Sequence, residues 1–173
     1  MPEMTHIAFL RAVNVGGTGK LKMGDLKSMC AELGFQNPRT YIASGNLAFE
    51  SDLTLAEAGQ ALEDKLTAQA GKPVGIVMRS AAEIEAISKA NPFPNEPGNK
   101  VIVRLLNRPL QESDLSDAKH LTDEQIVPGE REIFIFYPQG QGQSKLTLKS
   151  AQASGTARNM NTVVKMKQLA KNA

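Results

Sequence analysis

The 173-residue sequence has no tryptophan, one cysteine, two histidines and two tyrosines, and aromatic residues make up only 5% of it. Each scarcity removes a class of function. A lone cysteine, Cys30, excludes an intramolecular disulfide, a cysteine-rich zinc site and an iron–sulfur centre. With only His6 and His120 beside it, a histidine-built metal site is excluded too, so no metal and no cofactor is expected. The shortage of aromatics leaves no stacking platform for single-stranded nucleic acid. No stretch approaches the roughly 18 consecutive apolar residues of a membrane-spanning helix, so no membrane partner is expected. The first residues, Met1-Pro2-Glu3-Met4-Thr5-His6, have neither a basic start nor a long apolar run. A cytoplasmic location is the expectation, in keeping with an unpaired thiol.

What is present reads as an ordinary globular chain, 41% hydrophobic and 22% charged. A chain of this length buries roughly 70% of its unfolded surface and needs no staples. The net charge of +2 hides an uneven distribution. Residues 50–143 carry nine basic and fifteen acidic groups. Residues 144–173 carry Lys145, Lys149, Arg158, Lys165, Lys167 and Lys171 and no acid at all. Such a segment either attracts anions or nucleic acid, or simply solvates an exposed helix face.

Periodicity divides the chain into two α+β halves. In the first, residues 5–13 read as a strand and 25–33 as a helix, with Leu26, Met29, Cys30 and Leu33 on one stripe. That stripe makes Cys30 a core thiol rather than a nucleophile. Short strands at 40–43 and 47–50 flank a Ser44-Gly45-Asn46 turn. A second helix over 54–70 precedes a closing strand over 74–78. This βαββαβ order predicts a ferredoxin-like plait. In the second half, a helix over 81–90 and a proline-rich loop over 91–99 lead into a strand over 100–106. An acidic helix over 112–120 follows, then strands over 125–127 and 132–137. Ser144 is read as capping a helical stretch, and 156–170 as the last helix. The expectation is two plait-like subdomains, 1–80 and 81–173, the second atypical and carrying an extra C-terminal helix.

Most familiar motifs fail on inspection. Gly16-Gly17-Thr18-Gly19-Lys20 lacks both the first glycine of a phosphate-binding loop, where Asn14 stands, and the hydroxyl residue after the lysine, where Leu21 stands. Its glycines still offer backbone N–H groups that can nest an anion, or make a plain turn. Ser44 lacks the glycine frame of a nucleophile elbow. Ser116-Asp117-Ala118-Lys119 matches Ser-x-x-Lys without companion motifs. His6 and His120 read as structural. The least ordinary segment is Thr156-Ala157-Arg158-Asn159-Met160-Asn161-Thr162. Its polar side chains open an otherwise apolar and basic helix, and they suit either an anion site or a cap.

Taken together, Arg11-Ala12-Val13-Asn14-Val15-Gly16-Gly17, Leu33-Gly34-Phe35, Thr40-Tyr41-Ile42-Ala43-Ser44-Gly45-Asn46, Asn91-Pro92-Phe93, Ser144-Lys145-Leu146 and Thr156-Ala157-Arg158-Asn159-Met160-Asn161-Thr162-Val163 resemble the bacterial DUF1697 family, the SP0830-like proteins. Ala12 stands where the family usually has glycine, Ala43 where it has glutamine and Met160 where tryptophan is common. The resemblance implies two alpha–beta plait subdomains and no known reaction.

Three functions fit these residues. The first is binding of an anionic or phosphorylated ligand, a nucleotide or nucleic acid, in a polar cleft where the three motifs meet. Its ligand-binding residues would be Arg11, Asn14, Gly16, Gly17, Ser44, Gly45, Asn46, Lys145, Arg158, Asn159 and Asn161. The second is a structural or protein-interaction role in which the same groups tie the subdomains together. The third is an enzyme of unknown reaction in which Arg11, Asn14, Ser44, Asn46, Arg158 and Asn159 stabilise charge, although no general base is evident.

Overall fold

The computed structural model describes residues 4–11, 23–41, 45–71 and 73–171. The chain forms two compact units, Met1–Ala86 with Lys165–Ala173, and Ile87–Val164.

Unit 1 is built on four antiparallel strands. β1 (Met4–Leu10) is followed by α1 (Met23–Glu32), β2 (Gln36–Tyr41), β3 (Asn46–Ser51), α2 (Leu55–Ala70) and β4 (Ile76–Ser80). The sheet order is β2-β3-β1-β4, the order of a split βαβ plait. α1 and α2 cover one face. Leu26, Met29 and Cys30 from α1, and Ala58, Leu62 and Leu66 from α2, pack with Ala8, Leu10, Leu47, Phe49 and Ile76. Cys30 is fully buried, and burial pushes its thiol up to about 12, which leaves it inert. α2 starts at a capping box between Thr54 and Glu57 and stops at Gly71 in the left-handed region. The opposite face is not a solvated one. Ile7, Phe9, Ala48, Val77 and Arg79 are all at most 1% exposed, which is why β1 reads as a continuous apolar run instead of an alternating strand.

Unit 2 repeats the pattern. After α3 (Ala81–Lys89), whose first residues belong to unit 1, and a 3-10 turn (Gly98–Lys100) come β5 (Val101–Leu106), α4 (Ser113–Ser116), β6 (Gln125–Pro128), β7 (Glu132–Phe136), α5 (Lys149–Ala153), β8 (Gly155–Asn159) and α6 (Met160–Lys171), which belongs to unit 1 from Lys165 onward. The order β6-β7-β5-β8 is the order of the first sheet over again. Ile102, Leu106, Ile133 and Ile135 form a core with Leu146, Leu148 and Ala151 on the face that α4 and α5 cover.

The structure departs from the sequence reading in four places. β2 begins at Gln36, four residues ahead of the strand expected over 40–43. Residues 155–159 are a strand rather than the start of a helix, so the second plait is complete and the extra helix begins at Met160. Pairing with β5 decides this, and Gly155 permits it, since a Cβ there would fall 1.9 Å from the Leu105 carbonyl oxygen. The acidic helix is one turn, Ser113–Ser116, because residues 117–120 leave it to bridge Lys119 to Thr147. Ser144 heads an extended segment, and α5 begins only at Lys149.

Candidate functional site

Of the residues singled out in the sequence, Asn14, Gly16, Gly17 and Ser44 lie outside the described residues. The rest divide between the units. In unit 1, Arg11, Gly45 and Asn46 stand at one end of the sheet, because antiparallel pairing sets the end of β1 beside the start of β3. The Leu10 N–H donates to the Gly45 carbonyl at 2.9 Å and the Arg11 N–H to the Gly75 carbonyl at 2.8 Å. Gly45 has φ +82°, a conformation that suits glycine, and Leu10 fills the space a Cβ would need. Asn46 is fully buried, and its amide donates to the Tyr41 carbonyl at 3.0 Å across the hairpin.

In unit 2, Arg158 lies on β8 opposite Val103, on the sheet face away from α4 and α5, where Val103, Leu105 and Phe134 are buried. Its Nη1 donates to Thr156 Oγ1 and to the Ala157 carbonyl, each at 2.8 Å. Burial pushes its pKa down to about 10. Asn159 is the cap of α6, with Oδ1 accepting from the Thr162 N–H at 2.9 Å. Asn161, in the first turn, lies against Gly98. Lys145 is exposed, beside Ser144 and outside β8.

Three polar clusters have no counterpart in the sequence reading. Arg39 on β2 holds Glu50 on β3 through two hydrogen bonds, at 3.0 and 2.8 Å, with both side chains 11% exposed. Its Nε donates to the Leu169 carbonyl near the end of α6 at 2.8 Å. Burial alone would raise the Glu50 carboxyl, but the hydrogen bonds and charge of Arg39 outweigh it and hold it low. In unit 2, Arg108 grips the fully buried Asp114 at 2.7 and 2.6 Å, and the Gln111 N–H adds a third bond at 2.7 Å. The Arg108 hydrogen bonds hold Asp114 below the usual carboxylate range. Glu124 accepts from the Ser144 hydroxyl and from the Thr122 N–H at 2.8 Å, and these bonds hold it down to about 2. The one signal in the sequence was hairpin spacing for Arg39 and Glu50, which meet diagonally across β2 and β3. Among the described residues no three His, Cys, Asp or Glu side chains gather as a metal ion requires. No described helix is long and apolar enough to cross a membrane.

The model of a family described as "Protein of unknown function (DUF1697)" matches residues 4–134. The chain belongs to that family. The matched span takes in the plait of β1–β4 and runs through most of β7. A solved structure titled "The structure of conserved bacterial protein SP0830 from Streptococcus pneumoniae" is similar over 98% of this chain and 99% of that one, with a TM-score of 0.79 and 22% identity. At that identity the likeness shows a shared fold, which reaches beyond residue 134 to α6. No curated protein matches the DUF1697 chain. The family description and the neighbour's title name no ligand or reaction.

Proposed function

We propose that this DUF1697 protein binds an anionic, phosphate-bearing ligand, a nucleotide or a nucleic acid, in the cytoplasm. The observation that carries the reading is the segment from Ser144 onward, six cations without a carboxylate, with Arg158 fixed on β8 immediately ahead of α6. A guanidinium held in a partly desolvated place loses hydration that a phosphate contact restores, and its planar fork suits phosphate oxygens. Lys145, Asn159 and Asn161 in unit 2, and Arg11, Asn14, Gly16, Gly17, Ser44, Gly45 and Asn46 in unit 1, are the further groups assigned to ligand contact.

The test is thermal-shift screening with nucleotides, and anisotropy titration of a labelled single-stranded oligonucleotide at two salt concentrations. Binding that weakens with salt supports the reading. Arg158→Ala should then weaken it by about 1.5–3 kcal/mol, the range for a charged hydrogen-bond partner, and leave the unfolding midpoint in place. Absence of any anion response, or an Arg158→Ala protein that unfolds while no anion competes, overturns it.

A second reading has its own observation. Two of the amides singled out, Asn46 and Asn159, are engaged by backbone groups of their own units. In that reading the polar motifs hold turns and caps together, and no small anion raises the midpoint.

A further inference from the structure

A cleft of about 110 Å³ opens in unit 2 between the 122–124 segment and the loop over 139–144, with Glu124, Tyr137, Gln139, Gln143 and Ser144 among its walls. We propose that this cleft binds one small cationic head group, a primary ammonium or guanidinium on a short chain. The proposal does not rest on the anion reading, and it shares only Ser144 with the cationic segment used there.

Glu124 is 8% exposed. An ionised carboxylate has about four acceptor positions. The Thr122 N–H and hydroxyl take those of Oε1, at 2.8 and 3.2 Å, and the Ser144 hydroxyl takes one on Oε2. The Glu124 backbone N–H also bonds toward the carboxylate, and no further side-chain donor reaches it among the described residues. These neutral donors keep the group ionised, yet none of them carries a compensating charge. Among the described residues no lysine, arginine or histidine pairs with Glu124. The neutral donors stabilise the ionised form, and a bound cation would add a direct charge-assisted hydrogen bond to it.

Tyr137 supplies the second, independent observation. It is 5% exposed, and its ring packs in the core with Leu146 and Leu148. Buried tyrosines normally hand their hydroxyl to a partner. Here the hydroxyl makes no hydrogen bond among the described residues and is not one of the fully buried polar atoms, so it is open to solvent, and Tyr137 lines the cleft. Burial raises its pKa most; the charge of Arg104 pulls it down, and the weaker effect of the Glu124 charge raises it, so the hydroxyl lies within the field of both groups. A hydroxyl oxygen and an ionised carboxylate therefore line one cleft, with the exposed amides of Gln139 and Gln143 at its rim. A donor-rich cation satisfies both. Size limits the guest, since pockets for drug-sized ligands measure roughly 300–1,000 Å³. Asp123 and Glu124 together repel a phosphate.

The test is an NMR titration of the whole chain with methylguanidinium chloride and butylammonium chloride, against sodium chloride at equal ionic strength. Saturable shifts of the Thr122, Glu124, Gly140 and Ser144 amides with either organic cation, and not with sodium, are expected. Glu124→Gln should weaken binding by about tenfold or more, the loss expected of a charged partner. Tyr137→Phe removes a hydroxyl that bonds nothing in the protein, so it should fold normally and weaken binding severalfold. Shifts that match the sodium control, saturation by magnesium or calcium instead, or affinity unchanged in Tyr137→Phe would each overturn the proposal. If Glu124→Gln fails to fold, Tyr137→Phe alone decides.

Discussion

Arg39 does more for unit 1 than any residue the motifs drew attention to. Its guanidinium neutralises a nearly buried carboxylate, braces the β2–β3 hairpin and takes up a carbonyl in the last turn of α6, one of the four that every helix leaves unsatisfied. Lys165 sits 5.8 Å from the centroid of the Tyr41 ring on the same strand, so the late part of α6 has two contacts to β2. Removing one partner of a buried ion pair costs more than removing both, because the survivor stays charged and dry. Arg39→Met should therefore destabilise the protein by about 3–5 kcal/mol, while Arg39→Met combined with Glu50→Met should recover much of that loss. Urea denaturation of both variants measures it. A loss below about 1 kcal/mol in the single variant would mean that Glu50 is hydrated and the pair is an ordinary surface contact.

At the level of elements, β8 and α6 show how one stretch serves two architectures. Residues 155–159 run beside β5, and the chain turns into α6 at Asn159, whose side chain takes the Thr162 N–H. Asn159→Ala should cost about 1 kcal/mol, the usual cost of losing such a cap. Equilibrium unfolding reads this directly. An unchanged midpoint with a lost ligand response would instead make Asn159 a binding residue. The same stretch marks where the sequence was legible and where it was not. The first plait could be read because its helices carry clean stripes, Leu26 to Leu33 and Ala58 to Leu66, and because Thr54 and Glu57 announce a helix start. β8 could not, because Thr156, Arg158 and Asn159 carry no apolar alternation and the pairing with β5 overrides their local preference. A cap and a binding motif also use the same residue types, so Asn46 and Asn159 looked alike in either role. Arg108–Asp114 and Glu124–Ser144 escaped notice because each joins residues across loops, with no spacing rule to flag them.

Across the whole molecule, the buried titratable groups all favour neutral pH, and they do not fail together. His6 is 1% exposed, and its Nε2 meets the Leu53 carbonyl at 3.0 Å. A carbonyl only accepts, so the neutral ring carries its proton on Nε2, and Nδ1 is buried with no partner. A second proton would place an N–H at Nδ1 with nothing to receive it. Burial accordingly lowers the pKa of His6, with the Leu53 bond and the Glu50 charge only partly opposing. The unfolded chain takes up this proton at about pH 6.5, before the folded one does. Stability from His6 is thus fully present above that pH and is lost as pH falls through the lower, folded value. The carboxylates have the same sign at lower pH. Glu50, Asp114 and Asp117 are held below their usual range, and the loss from Glu124 runs from about 4.5 to about 2. Unit 1, which contains His6, should therefore weaken first on acidification. Calorimetry at pH 7.5 and 5.5 should show a fall in Tm for the native chain and a smaller fall for His6→Gln, whose amide can still donate to Leu53 but does not titrate. Equal falls in the two proteins would assign the acid sensitivity to the carboxylates alone and leave the buried imidazole without a part in it.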